Sequence, residues 1–227
     1  MKKNLEAIKN GMLKKSFIFF ISSVIVIITS VPFFGLEVKD LRSKDIKKRV
    51  TAVENLGKLG KKEIIPQLID VMKTDREKIV RKKVIEVLCN IGDKSAAIDI
   101  MNHIKTETDT DIKCAGIMTL GYLRDERTAS YLRGVFLDKN ESISVRLRAG
   151  NTLGRFMTEG SFSSLKTGLS DENPKIRAQS VASLGNILSD FKLKERIELL
   201  ENVLKSDPDE DVKKTAKFYL ERFTGKQ

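Results

Sequence analysis

Apolar and small residues recur in one register with a period near 32 residues, from Leu41 to the end of the chain. Each unit opens on a basic residue, which is followed by a small or aliphatic residue at offset three or four, Leu at offset seven and an apolar residue at offset ten. These offsets lie on one face of an α-helix, so the pattern predicts the first helix of a repeat. The opening residues of the six units are Arg49, Arg81, Lys113, Arg146, Arg177 and Lys213.

A second apolar set follows in each of the first five units and predicts a second helix. Its members are Ile65, Leu68 and Met72, then Ala97, Ile100 and Ile104, then Ala129, Leu132 and Phe136, then Phe162, Leu165 and Leu169, and finally Ile197, Leu200 and Leu204. Extra residues around 190–194 account for the longer spacing before the sixth unit, which stops after its first helix. The pattern predicts a solenoid of five helical hairpins and a closing half-unit.

Helix starts carry capping residues that support this register. Thr74 and Glu77 have the spacing of a capping box, and Asn173 and Asp207 each precede a proline, as an N-cap often does. The residue at offset eight is small in the first five units, as at Gly121. We expect a neighbouring backbone to approach closely there.

The N-terminal segment from Ser16 to Leu36 carries no charge and follows a stretch with five lysines and the single acidic residue Glu6. As a helix it would span about 30 Å, which matches a bilayer core and favours a retained anchor. Pro32 and several hydroxyl residues favour the alternative, a cleaved signal peptide. We predict a signal or anchor over residues 1–36 and a repeat domain over 37–227, with both alternatives open.

Positive charge lies on both sides of this segment, so the charge distribution gives only a weak preference for one membrane orientation. The basic residues that follow it are Lys39, Arg42, Lys44, Lys47, Lys48 and Arg49, so the positive-inside count nearly balances. A basic N-terminus before an apolar stretch is typical of an exported domain. We therefore expect a repeat domain that is exported across, or anchored in, the cytoplasmic membrane, on its extracytoplasmic side.

The strings DIKKRVTAVENLGKLG, DIKCAGIMTLGYLRDE and NPKIRAQSVASLGNIL resemble the HEAT family, in particular its short PBS-lyase HEAT-like repeats. The resemblance covers the chain from about Leu41 to the C-terminus. It implies an all-α fold, a right-handed α-α superhelix, with the second helices lining the concave side. It implies little about activity, since the family consists mostly of scaffolds and adaptors, with a minority of chromophore lyases and DNA-repair relatives.

The basic residues that open the units admit two interpretations. In the structural one, each bonds to a neighbouring turn, with Asp75, Asp109, Asp111 and Asp171 as candidate partners. In the functional one, they form a positive ridge for a polyanion such as nucleic acid or anionic lipid, in keeping with the formal net charge of +11. We favour the structural interpretation, because one basic residue per repeat is what packing requires of every unit.

Few residues suggest catalysis. His103 is the only histidine, and its register predicts an exposed side chain without a partner. Cys89 and Cys114 are expected to be free thiols, and no ligand set for a metal exists. We predict a non-enzymatic protein-interaction or scaffold module that binds a protein or peptide on its concave face, needs no cofactor and does not bind small molecules or nucleic acid. The alternatives are a lyase-like enzyme subunit and a polyanion-binding protein.

Overall fold

The computed structural model describes residues 38–156, 158–187 and 189–225, which are helical and contain no strand. Eleven α-helices follow one another in this part of the chain. They are α1 (Ile46–Leu59), α2 (Ile65–Thr74), α3 (Lys78–Ile91), α4 (Ala97–Thr106), α5 (Thr110–Leu123), α6 (Ala129–Leu137), α7 (Ile143–Leu153), α8 (Glu159–Gly168), α9 (Pro174–Gly185), α10 (Leu193–Ser206) and α11 (Glu210–Thr224). The chain divides into two compact units, Met1–Leu59 and Gly60–Gln227.

The described part of the first unit consists of a helical segment at residues 38–40, a short turn and helix α1. The Asp45 carboxylate accepts a hydrogen bond from the backbone N–H of Lys47 and so satisfies one donor of the first helical turn. The Arg49 guanidinium donates to the carbonyl oxygens of Ser43, at 2.8 Å, and Lys44, at 3.4 Å. Arg49 therefore fixes its helix to the turn that precedes it.

In the second unit, first helices (α3, α5, α7, α9 and α11) alternate with second helices (α2, α4, α6, α8 and α10). The apolar register predicted for them is confirmed in its main positions, since Leu88, Leu120, Leu153 and Leu184 are all buried. Burying each such side chain contributes about 1.5–3 kcal/mol relative to exposure. The predicted solenoid of helical hairpins is thus the observed fold.

Successive first helices approach each other through small residues. A β-carbon at Gly154 would lie 3.2 Å from both the β-carbon and the carbonyl oxygen of Ser183, and one at Gly185 would lie 2.2 Å from the Tyr219 ring. The Ser183 hydroxyl donates to the Gly150 carbonyl oxygen, at 2.9 Å, which joins α9 directly to α7. The small residue at offset eight therefore permits close contact between backbones, as predicted.

Successive second helices are joined by longer side chains. Lys73 reaches Asp99 at 2.5 Å, and Lys166 reaches Glu195 at 3.0 Å. Ion pairs between long side chains therefore bridge successive second helices, whereas small residues lie between successive first helices.

Helix α10 differs from the predicted register by one position. Its buried residues are Arg196, Leu200 and Val203, and Ile197 is only partly buried. The Arg196 guanidinium is fully buried and donates to the carbonyl oxygens of Leu184, Ile187 and Ser189. These bonds stabilise the irregular linker after α9, and they explain why a charged residue occupies a core position.

Nothing in the described ranges tests the predicted anchor or its boundary at residue 36. Among the residues that the structure describes, no helix combines the length and apolar character that a bilayer span requires. The segment from Ser16 to Leu36 lies outside the described residues.

The close contact between first helices predicts the effect of adding a single methyl group. We expect Gly185→Ala to lower the free energy of unfolding by about 1–3 kcal/mol, because the Tyr219 ring must move. Gly134→Ala is the matched control, since a β-carbon there meets nothing within 4 Å. It should be neutral or raise stability by up to about 1 kcal/mol. Urea unfolding of both variants measures the difference, and equal effects would contradict the packing described.

Candidate binding face and the basic ladder

The basic ladder is the set of residues that opens the units, and its geometry is clearest at Arg81. The guanidinium donates from Nε to Glu107 Oε2, at 2.9 Å, and from Nη2 to Glu107 Oε1, at 3.2 Å. Glu107 lies in the linker that follows the second helix α4. Its Oε1 atom also accepts hydrogen bonds from the backbone N–H groups of Thr108 and Asp109. The pair therefore fixes one repeat to the linker that begins the next.

The same pairing recurs along the second unit. Arg177 makes a bidentate pair with Asp207, at 2.8 and 2.9 Å. Lys113 contacts Glu141 at 2.6 Å, and Arg146 pairs with Asp171. The partners of Arg146 and Arg177 are nearly fully buried, and buried pairs of this kind are strongly destabilising when only one member is removed.

The arginines also bind the linker on their own N-terminal side. Arg81 donates to the carbonyl oxygens of Asp75 and Arg76, at 3.2 and 3.0 Å. Arg177 does the same with Asp171 and Glu172, at 3.0 and 3.3 Å. Arg49 makes equivalent bonds within the first unit. Each of these guanidinium groups thus bonds to the linker that precedes its own helix. Those of Arg81 and Arg177 also bond to a carboxylate of the next linker.

Lys213, the last member of the ladder, contacts Glu210 within its own helix, at 2.5 Å. Asp171, one of the acidic partners expected for the ladder, pairs with Arg146. Asp109 is instead the N-cap of α5, where it accepts from the backbone N–H groups of Asp111 and Ile112. Sequence reasoning missed a repeated signal, an acidic residue five or six positions before each basic residue after Arg49. It occurs at Asp75, Glu107, Glu141, Asp171 and Asp207.

Two of the three predicted N-caps are wrong, because each of these residues bonds to a different group. Thr74 ends helix α2 and donates to the Asp70 carbonyl oxygen, so it is not the N-cap of α3. Asp207 is engaged by Arg177, and Asp209 is the N-cap of α11. The third prediction is confirmed, since Asn173 Oδ1 accepts from the backbone N–H of Lys175 at 2.9 Å.

The linker carboxylates have lowered pKa values. The hydrogen bond from Arg177 is the main cause for Asp207, and it outweighs the opposing effect of burial on that pKa. For Glu107, burial raises the pKa, but the hydrogen bonds from Arg81 and from the Asp109 backbone outweigh it, so the net pKa is lowered. Both groups are therefore held in the charged form.

The prediction that the His103 side chain is exposed and without a partner is wrong, because the side chain is largely buried beside Glu107. Its side chain is 10% exposed, and its Nε2 atom lies 3.4 Å from Glu107 Oε2. Burial is the main cause of its lowered pKa, although the Glu107 carboxylate acts in the opposite sense. The histidine thus packs beside the Arg81–Glu107 pair.

Large apolar side chains are exposed on one side of the first helices. Tyr122 and Phe218 are each 53% exposed, and Met118 is 36% exposed. They occupy offsets five and nine, on the opposite side of the helix from the core positions. We define the first-helix face by the exposed residues at offsets two, five and nine. In the second unit it comprises Asn90, Met118, Tyr122, Arg148, Asn151, Arg155, Asn186, Phe218 and Arg222.

Specific contacts order parts of this face. The Arg155 guanidinium lies over the Tyr122 ring, 4.6 Å from its centroid. Asn186 Nδ2 donates to the Tyr219 hydroxyl at 2.8 Å, and Arg222 donates to Asn186 Oδ1 at 3.4 Å. The Phe218 and Tyr219 rings meet edge to face, with centroids 5.0 Å apart. Aromatic and arginine side chains held in this way are typical of interaction surfaces.

An open groove of about 640 Å³ crosses the C-terminal ends of α5, α7 and α9. Its lining residues are Arg124, Asn151, Gly154, Arg155, Asn186, Ile187 and Ser189. The second helices carry ion pairs such as Lys166–Glu195, and an open groove of about 840 Å³ along α10 is lined by charged residues of both signs, including Lys192, Lys194, Glu195 and Glu198. The first-helix face is therefore the candidate binding face of the second unit.

Other chemistry is limited in the part of the chain that the structure describes. No group of three or more His, Cys, Asp or Glu side chains could hold a metal ion among these residues. Cys89 and Cys114 are both free thiols, as predicted. Burial is the main cause of a raised pKa at Cys114, which disfavours the reactive thiolate.

The alternating helices and the linker pairs define an α-solenoid repeat protein. The model of HEAT repeats matches residues 38–115, 65–144 and 135–221, which together span most of the chain. The chain belongs to the HEAT-repeat family.

Solved structures confirm this fold. A chain in the complex of CpcE and CpcF of phycocyanin lyase from Nostoc sp. PCC7120 is 19% identical, with a TM-score of 0.56, over 69% of this chain and 98% of that one. The archaeal HEAT-like repeats protein from Thermococcus onnurineus NA1 is 12% identical, with a TM-score of 0.54, over 90% of this chain and 92% of that one. No curated protein matches the sequence.

The ladder predicts a large stability loss when one partner is removed. We expect Arg177→Met to lower the free energy of unfolding by about 3–5 kcal/mol, because Asp207 is left buried and unpaired. Lys175→Met, at an exposed position of the same helix, is the matched control and should change it by less than about 0.5 kcal/mol. Urea unfolding near neutral pH provides both values.

The dependence on pH supplies a second readout of the same pair. The lowered pKa of Asp207 contributes stability above its unfolded-state value, and this contribution is lost as pH falls through the folded-state value. In wild type the loss should appear below about pH 4. It should be smaller in Arg177→Met, and an identical acid limb in both proteins would refute the pairing.

Proposed function

We propose that this protein is a non-enzymatic binding module that holds a protein or peptide partner on the first-helix face. The observation that carries the proposal is the row of exposed Met118, Tyr122 and Phe218 side chains on the closely spaced layer of helices. Each lies at a position that the repeat leaves outside the core. Exposed aromatic side chains beside arginine are enriched where proteins bind one another.

The linker pairs support binding over catalysis or polyanion capture. Arg81, Arg146 and Arg177 face carboxylates of the next linker, so their charge is compensated within the fold. His103 and Glu107 belong to the same packed cluster. The basic ladder therefore has structural partners within the fold. His103 packs against one of them, the Glu107 carboxylate.

The fold neighbour from Nostoc supports a protein as the partner. CpcE is found in a complex with CpcF, a second polypeptide. The likeness concerns the fold, and we carry over only the general use of such a solenoid as a protein-binding surface.

The location that we propose rests on the sequence of the N-terminal segment. Ser16–Leu36 is long and uncharged enough to cross a bilayer, and a basic stretch precedes it. We propose that it targets the repeats to the cytoplasmic membrane and that the repeats act on the extracytoplasmic side.

Changing one residue of each face tests the binding proposal. We expect Tyr122→Glu to reduce recovery of crosslinked protein partners from cells by about tenfold, because it places a charge in an apolar contact. Leu137→Glu is the matched control, since Leu137 is 41% exposed and lies on second helix α6. Equal recovery from both variants, or loss with Leu137→Glu alone, would contradict the assignment of the face.

The location is tested by the mature N-terminus and by protease treatment of intact cells. We expect the repeats to be digested by external protease once any outer envelope is opened, with the cytoplasmic membrane intact. Sequencing the N-terminus separates a retained anchor, which begins at Met1, from a signal cleaved after it. Repeats that resist digestion until the cytoplasmic membrane is lysed would overturn the proposed side.

A further inference from the structure

We propose that the groove across the ends of α5, α7 and α9 binds acidic side chains of an extended partner segment. This inference rests on the proposed function and specifies the chemistry of the partner. Among the seven lining residues are two arginines, Arg124 and Arg155, and no Asp or Glu. The groove thus presents two arginines, whereas the ladder arginines Arg81, Arg146 and Arg177 are paired with carboxylates.

Arg124 and Arg155 are available to a ligand in a way that the ladder arginines are not. Both are exposed, and within the described residues neither side chain is bonded to a carboxylate. Arg155 is oriented by the Tyr122 ring below it, at 4.6 Å, which leaves its edge donors for a ligand. A guanidinium presents a planar pair of N–H donors that matches a carboxylate.

The ends of the helices beneath the groove carry partial negative charge, which would oppose an anion. At α9 this effect is offset by Arg196. Its guanidinium is fully buried and donates to the carbonyl oxygens of Leu184, at 3.0 Å, and Ile187, at 2.8 Å. No carboxylate bonds directly to it among the described residues, and the charge of Asp190 acts on it electrostatically and offsets part of its positive charge.

Two amides suit the backbone of an extended segment. Asn151 and Asn186 line the groove from successive first helices, and each offers both a donor and an acceptor. Exposed Tyr122 lies under Arg155, one of the lining residues, and provides an apolar surface next to it. The arginines suit carboxylates, and the amides suit the peptide backbone between those carboxylates. A lipid headgroup fits less well, because it presents no regularly spaced amides.

The test is a selection of random displayed peptides on the full chain, held in neutral detergent. We expect wild type to enrich peptides rich in Asp and Glu, and the double variant Arg124→Glu, Arg155→Glu to lose this enrichment. Lys194→Glu, Lys205→Glu is the matched control, because both lysines are exposed on α10 and the change in net charge is the same. A selected peptide should bind the first variant at least about tenfold more weakly and the control within about twofold.

Arg124→Lys, Arg155→Lys keeps the charge and guards against a folding defect in the charge-reversed protein. It should retain the acidic preference, and thermal unfolding should show the same transition as in wild type. Enriched peptides without acidic residues, or acidic enrichment that survives charge reversal, would overturn this inference and leave the proposed function standing. If no peptide is enriched, this inference is wrong, and the proposed function is decided separately by the recovery of crosslinked partners with Tyr122→Glu and Leu137→Glu. If vesicles containing phosphatidylglycerol bind in place of peptides, with the same loss on charge reversal, the site recognises lipid and the inference is wrong.

Discussion

The rest of the structure depends on one ion pair that repeats with the period of the fold. In the second unit a basic residue in the first turn of a first helix bonds to the linker carboxylate one repeat further along, as Arg81 does with Glu107. That carboxylate also accepts backbone N–H groups at the start of the next helix. Each pair therefore sets the position of one repeat relative to the next, which apolar packing alone specifies less strictly.

This constraint decides which surface is free to act. Because the ladder faces the linkers, the surface of the first helices is left to the residues on the side opposite the core. The same helices are closely spaced, since Gly154 and Gly185 admit their neighbours. Exposed aromatic residues, amides and arginines consequently meet on the first-helix face. The proposed binding function follows from this division of the helix surface.

The sequence predicted the repeat well because the apolar offsets are set by helical periodicity, as the buried leucines at offset seven show. It predicted less where a side chain reaches across repeats. The partners of Arg81 and Arg177 lie 26 and 30 positions away, and His103 is packed beside one of them. Arg196 could not be foreseen as a core residue, because its partners are backbone carbonyls of an irregular linker.

The first-helix face is the central claim, and photo-crosslinking in intact cells tests it most directly. A photoreactive amino acid at position 118 or 218 lies on this face, whereas positions 134 and 137 lie on the second helix α6. The account predicts protein adducts from the first pair of positions and only background from the second. Adducts formed at positions 134 and 137, with none at 118 and 218, would contradict it.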